Sequence, residues 1–503
     1  MYKRKELLGR CVGYLMLIVL VGLVLRIFQH TFQSLWIDEL VTMLTSDVSH
    51  GPSDIIELLR RNVHPPLYYL LLNGWFKTFG FTESAGRLFS AFAGAGGIVA
   101  IYFLGKEIRS RKVGLVAAML VAINLFHLYY SQEVRSYALL FLLTTLSYLF
   151  FLRGLKRTHW KPYLLYTLLT TALIYTHYYG LFVLASHIGI FLFMAIWRYR
   201  DIQYWAYGLI SGFAILGAYY SWISTLIKIS GIKSIWISPP SPTIFAEYFY
   251  KHLGKDPFLA VVFLGLTLFF LYQMYKLRHQ WLGRPLKEVS PLHYALILCA
   301  WVAATLGIPY VRSLISTPIM HYRYTMVALP ALFIMVAWGW SLIRNARYRK
   351  MILGAVVLST CLNMVFFNRY YERVNKEQWR QAAQLVLQEN GENYPVISFW
   401  AKYYQFYFDQ FNGAETIIDP RDSTFEEVLE TADGFWLMTA HQGKLLKGNK
   451  AQMTVGQETL ISEEFRVEKT HEFDGAAAYF YRRIYSPSQP EVVAILPSGP
   501  VPN

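Results

Sequence analysis

The sequence predicts a polytopic α-helical membrane protein with a small C-terminal α/β domain outside the bilayer, and three observations predict it. Of its 503 residues 55% are hydrophobic and only 16% charged, whereas soluble chains carry about 25% charged residues. Basic clusters fall between the apolar runs at every second loop, the pattern of the positive-inside rule. Beyond Asn368 charges return at soluble density and the long apolar runs stop.

The first apolar run, Cys11 to Phe28, is long and ends in bulky residues, so it reads as an uncleaved first span rather than a leader. The basic clusters are Lys3 to Arg10, Lys106 to Lys112, Arg153 to Lys161, Arg198 to Arg200, Lys276 to Lys287 and Arg344 to Lys350. Placed on the cytoplasmic side, they leave spans near 11–28, 86–104, 113–130, 137–152, 162–178, 180–197, 204–227, 258–275, 292–308, 324–343 and 351–367. That makes about eleven helices, with the N-terminus inside and everything after Phe367 outside. The formal net charge of +15 is then a topology signal. A nucleic-acid partner, which +15 and 17% aromatic residues could otherwise suggest, is not indicated. The three cysteines, Cys11, Cys299 and Cys361, lie in apolar runs without metal-type spacing.

The first outer loop, 29–85, contains two short amphipathic pieces. "PSDIIELLRR" sets Ile55, Ile56, Leu58 and Leu59 on one broad face behind a Ser53/Asp54 start signal. "VHPPLYYLLLNGWFKTF" follows; from Pro66 to Phe79 it reaches about 20 Å as a helix, too short for a hydrocarbon core of about 30 Å. Both are expected to lie in the interface plane, with Tyr68, Tyr69 and Trp75 as anchors and Pro65 and Pro66 opening the second. Thr82 and Glu83 then cap the next span. Past the last span, "KEQWRQAAQLVLQENGENYPVISFW" reads as helix, glycine turn and strand, with further strands near Thr416 to Ile418, Phe435 to Met438 and Ala477 to Tyr481. The expected division is 1–371 in the membrane, 372–485 as the outer domain and 486–503 as a Pro-rich tail.

Charged groups that could carry chemistry sit in the outer loops. "LWIDEL" pairs Asp38 with Glu39, either a solvated helix end or a general base near the bilayer. "NVHPPLYY" presents His64 at a helix start that favours anions, or simply in a turn. "LYYSQEVRSYALL" carries Glu133 and Arg135, an ion pair or an arginine fork for phosphate oxygens. There is no G-x-x-x-x-G-K-[ST] loop and no H-E-x-x-H pair, which disfavours nucleotide-using and zinc-hydrolytic enzymes. A phosphate-bearing donor outside the membrane would most naturally be a lipid.

In order along the chain, "WIDE", "VHPPLYYLLL", "YYSQEVRSYALL", "YTHYYG", "HYRYTMVALPAL" and "NKEQWRQAA" resemble the bacterial membrane glycosyltransferases of the GT-C superfamily. These are kin of glycosyltransferase family 39, which includes protein O-mannosyltransferases and lipid A aminoarabinose transferases. The resemblance runs to about residue 485, although several members have two more spans and the C-terminal domain varies most. It implies inverting, single-displacement transfer of a hexosyl or pentosyl group from a polyprenyl-phosphate donor. The acceptor would be a hydroxyl of an extracytoplasmic glycolipid, polysaccharide or protein. By position Asp38 would be the base and Glu39 its support, with His64, Arg135 and Arg323 at the donor phosphate. Tyr130, Glu133, Tyr137, His177 and Tyr178 are further candidates for substrate contact. No cofactor is required; a divalent metal is possible, with His64, Asp38 or Glu133 as ligands.

Two rivals come from other classes. A transporter would carry ionisable residues inside its spans, whereas here Arg26 lies near a span end and His187 is the main interior exception. A lipid-linked oligosaccharide polymerase or ligase would share location and substrates but not the acidic pair of the first loop.

Overall fold

The computed structural model describes residues 2–157, 159–198, 200–232, 236–282, 290–413, 416–422, 424–440, 461 and 463–484. The expected Pro-rich tail, 486–503, lies outside the described residues. The chain divides into two compact units, one of residues 1–32 and 42–373, the other of 33–41 and 374–503.

The first unit is helical. Helix α1 (Tyr2–Ile27) is followed by the short helices α2 (Ile37–Thr45), α3 (Pro52–Arg60) and α4 (Leu67–Phe79). Next come α5 (Glu83–Ile108), α6 (Arg111–Ile123), α7 (Leu125–Ser131), α8 (Tyr137–Arg157), α9 (Trp160–Thr176), α10 (Gly180–Arg198) and α11 (Ile202–Ser230). Then α12 (Ile244–His252), α13 (Pro257–Leu282), α14 (Pro291–Val302), α15 (Ile308–Ile315), α16 (Leu329–Leu342) and α17 (Ala346–Leu362) complete it. All the expected spans fall on helices. Among the described residues, eight helical stretches are long and apolar enough to cross a membrane, or nine if α6 and α7 count as one. The expected count of about eleven drops by that measure because α9 has only 17 residues and the apolar stretch of α10 is Gly180–Ile196.

The expected span 113–130 is broken, with α6 and α7 meeting at 63°. Asn124 explains the break: its side chain accepts from the His127 N–H at 2.8 Å, so it caps α7 and cannot continue α6. The α6 carbonyls this frees are taken up by Arg26, which is fully buried on α1. Its guanidinium donates to the carbonyls of Val121 and Ala122, both at 3.1 Å, and to His127 Nδ1 at 2.8 Å. Glycine sets the crossing of α5 with α6, since a Cβ at Gly114 would stand 2.4 Å from the Tyr102 carbonyl oxygen.

The short helices of the first loop sit deeper than interfacial packing requires. Ile55 and Leu59 of α3 are buried, as are Tyr68 and Tyr69 of α4. The Tyr68 hydroxyl bonds Ser90 Oγ of α5 at 3.0 Å, and Trp75 Nε1 donates to the Ala85 carbonyl at 2.9 Å. Tyr68 and Trp75 therefore fix α4 to α5. Thr82 caps α5 as expected, accepting from the Ala85 N–H at 3.1 Å.

The second unit is α/β. It contains α18 (Trp379–Glu389), β1 (Val396–Ile397), α19 (Ala401–Gln410), α20 (Thr424–Thr431), β2 (Gly434–Ala440), β3 (Phe465–Phe473) and β4 (Ala476–Arg483). The sheet order is β1-β2-β4-β3, with β1 parallel to β2 and the other pairs antiparallel. Ile397, Phe425, Leu429, Phe435, Leu437, Ile461 and Phe465 form its core. Strand β3 was not expected, because "FRVEKTHEF" is an exposed, charged edge without a continuous apolar face.

Candidate active site

Arg135 lies in the turn between α7 and α8 and is 4% exposed. Its guanidinium donates to Thr42 Oγ1 at 2.9 Å and approaches His64 Nε2 at 3.1 Å. The donor here is the arginine, so Nε2 is the bare nitrogen of a neutral imidazole. Burial first, then the charges of Arg135 and Arg323, hold the His64 pKa well below its usual 6.5. Pro66 is the N-cap of α4, so His64 lies in the bend before the helix and not within it.

Tyr137, fully buried at the start of α8, forms the middle of the cluster. The guanidinium carbons of Arg135 and Arg323 stand 5.8 and 6.0 Å from its ring centre, and the Tyr130 and His177 rings lie at 5.0 and 6.1 Å. Arg323 also stacks over Trp236 and Tyr324 at 4.9 and 5.6 Å. Two cations held against aromatic faces keep their charge while half-dry, since the ring quadrupoles replace part of the lost hydration. His321, beside Arg323, falls to about 3.

The cluster opens on a cavity of about 460 Å³. His64, His177, Tyr178 and Tyr324 line it together with Arg312, and Phe182, Leu226, Ile227, Ile232 and Ile319 make much of the remaining wall apolar. A largely apolar wall with a few polar groups and one arginine suits an anionic group on an apolar chain. Of the sequence-derived candidates, His64, Arg135, Arg323, Tyr130, Tyr137 and His177 are thus brought together. Tyr178 lines the cavity, where its hydroxyl accepts from Trp222 Nε1 at 3.1 Å. Glu133, 1% exposed, sits in the same turn as Arg135. Sequence reasoning missed Thr42, Trp236, His321 and Tyr324. "HYRYT" held the last two, but a tyrosine-rich end is also what an aromatic belt looks like.

Asp38 and Glu39 occupy the first turn of α2, in the stretch of chain that clusters with the second unit. Asp38 is half-buried and Glu39 fully buried. Glu39 Oε2 accepts from Lys376 Nζ at 2.7 Å. Among the described residues no three His, Cys, Asp or Glu side chains are grouped as a metal site would require.

A family model described as dolichyl-phosphate-mannose-protein mannosyltransferase matches residues 63–222, a stretch that includes His64, Arg135 and His177. No curated protein matches the sequence. The structure is similar to that of ArnT from Cupriavidus metallidurans in the apo state, with TM-score 0.60 and 11% identity over 93% of this chain and 98% of that one. For the same protein bound to undecaprenyl phosphate the values are 0.57, 12%, 93% and 98%. The archaeal oligosaccharyltransferase AglB from Archaeoglobus fulgidus, in complex with an inhibitory peptide and a dolichol-phosphate, gives 0.53, 10%, 93% and 74%. At such identities the likeness is one of fold.

Proposed function

We propose that this chain, whose fold and family match support a GT-C superfamily glycosyltransferase, transfers a sugar from a polyprenyl-phosphate donor to a hydroxyl of an extracytoplasmic acceptor. The observation that carries the reading is the pairing of Arg135 and Arg323 around Tyr137 with an apolar cavity at the same place. ArnT bound to undecaprenyl phosphate and AglB with a dolichol-phosphate are similar in fold, which favours the same donor class here. The positive-inside pattern favours an N-terminus in the cytoplasm, residues 1–371 in the cytoplasmic membrane and residues 372–485 outside it.

In this reading Asp38 takes the proton of the acceptor hydroxyl as its oxygen attacks the anomeric carbon. The bond from that carbon to the donor phosphate oxygen breaks on the opposite side, and the anomeric configuration inverts. Polyprenyl phosphate leaves, its charge growing from about one negative to about two, so Arg135 and Arg323 act more strongly in the transition state than on the bound donor. His64 stays neutral in the free enzyme and gains basicity when the phosphate offsets the two arginines. Tyr130, Tyr137 and Tyr178 would contact the head group or sugar.

The test is donor capture by the full chain in detergent, comparing labelled polyprenyl monophosphate with the diphosphate. Preference for the monophosphate, weakened about tenfold or more by Arg135→Gln, is the expected result. Preference for the diphosphate would move the reading to an oligosaccharide ligase, and no capture of either would move it to transport.

A further inference from the structure

The stretch "NKEQWRQAA", 375–383, enters the second unit and has no role in the chemistry above. Its residues hold the segment 33–41. The Asn375 N–H donates to Gln33 Oε1 at 3.0 Å, Lys376 Nζ to Glu39 Oε2 at 2.7 Å, and the Arg380 N–H to Ser34 Oγ at 3.1 Å. From α19 the buried Tyr407 hydroxyl accepts from the Leu35 N–H at 2.9 Å and bonds Ser34 Oγ at 3.1 Å. The grip is tied to the sheet through Gln378, which exchanges hydrogen bonds of 2.8 and 2.9 Å with the Asp474 backbone in the β3–β4 turn. Trp379, fully buried, fixes the start of α18.

The ion pair in this grip is dry on both sides, Lys376 at 4% and Glu39 at 0% side-chain exposure. Burying two charges costs several kcal/mol per ion, so an apolar pair of equal volume would serve stability as well or better. What an ion pair adds is a fixed register, because only one arrangement satisfies both groups. Here the register belongs to the first turn of α2, and Asp38 is the neighbour of Glu39 in that turn.

We propose that Lys376 is a positioning residue for Asp38, holding Glu39 and with it the first turn of α2 in the one register that serves the reaction. Tyr407 supports it by fixing the backbone just before that turn. The inference rests on Asp38 being the base. It gives the outer domain a direct role in the enzyme's turnover.

The experiment uses the full chain in detergent with a polyprenyl-phosphate sugar donor, and reads kcat, donor KM and thermal unfolding for Lys376→Met, Lys376→Arg, Tyr407→Phe and Asp38→Ala. Lys376→Met is expected to lower kcat about 10- to 100-fold with donor KM changed less than about twofold. Lys376→Arg should restore most of that loss, because it returns a cation to Glu39. A merely structural role would lower the unfolding temperature without this split and without the rescue. If Lys376→Met kcat stays within about twofold of the parent while Asp38→Ala is inactive, the inference is overturned and the base assignment stands. Retained transfer in Asp38→Ala sinks the base assignment and the inference with it. Should Lys376→Met fail to fold, Tyr407→Phe decides: a kcat loss of about threefold or more at unchanged KM supports the grip, and an unchanged kcat refutes it.

Discussion

Two buried charged sites, one in each unit, are built differently. In the second, the Glu39 carboxylate meets the Lys376 ammonium at 2.7 Å, a matched pair that fixes a register. In the first, Arg135 and Arg323 crowd the same tyrosine and suppress protonation of His64 beside them. Titratable groups crowded into a half-dry site are a frequent mark of functional sites. One site sets a cation against a carboxylate; the other sets two cations against one tyrosine ring.

The sharpest way to break this comparison is Asp38→Ala. A positioned base contributes about 10²–10⁴-fold, so kcat should fall by that order while donor capture stays intact. Steady-state transfer and a separate binding measurement check it. Next is Arg135→Gln, which removes charge from the arginine cluster; kcat/KM should drop about 10²–10³-fold, with a larger share in kcat than in KM. An equal loss confined to KM would mean that the arginine binds donor and transition state alike.

Gly114→Val asks whether the helical frame beneath the cluster is as tightly set as the crossing suggests. With a Cβ 2.4 Å from a backbone oxygen, the cost should be about 1–3 kcal/mol, seen as a lower unfolding temperature in detergent. The smallest expected effect is the most specific to the arginine site. A bound phosphate diester stabilises the protonated form of His64 and raises its pKa. Donor affinity should therefore be higher at low pH and fall as pH rises through the pKa of the complex. His64→Gln should flatten that dependence, as titration of donor binding at several pH values would register. A chelator should leave transfer unchanged if the arginines alone hold the leaving group; lost activity restored by a divalent cation would bring back the metal.

Much of the fold was legible because bilayer physics is severe: spans must be long and apolar, and basic loops mark one side. The break at Asn124 was not legible, since an Asn within an apolar run reads as a tolerated polar residue until Arg26 is seen taking up the freed carbonyls. Nor was the burial of Tyr68 and Tyr69, because an interfacial aromatic and a packed one look alike in sequence. At the site, His64 and Arg135 could be picked out as charged groups in outer loops, and they do meet. Their union with Arg323 around Tyr137 joins residues nearly two hundred positions apart, which no local pattern encodes. The membership of 33–41 in the second unit is hidden for the same reason: backbone N–H groups, single hydroxyls and one ion pair make that contact, and none leaves a periodic trace.

The most direct measurement is transfer itself. The full chain, in detergent or vesicles, would be given a panel of labelled polyprenyl-monophosphate sugars and an extract of envelope acceptors, with Asp38→Ala as the control. The account predicts transfer from one donor, with inverted anomeric configuration, that disappears in the variant. No donor consumption by folded protein, or equal transfer by Asp38→Ala, would contradict it.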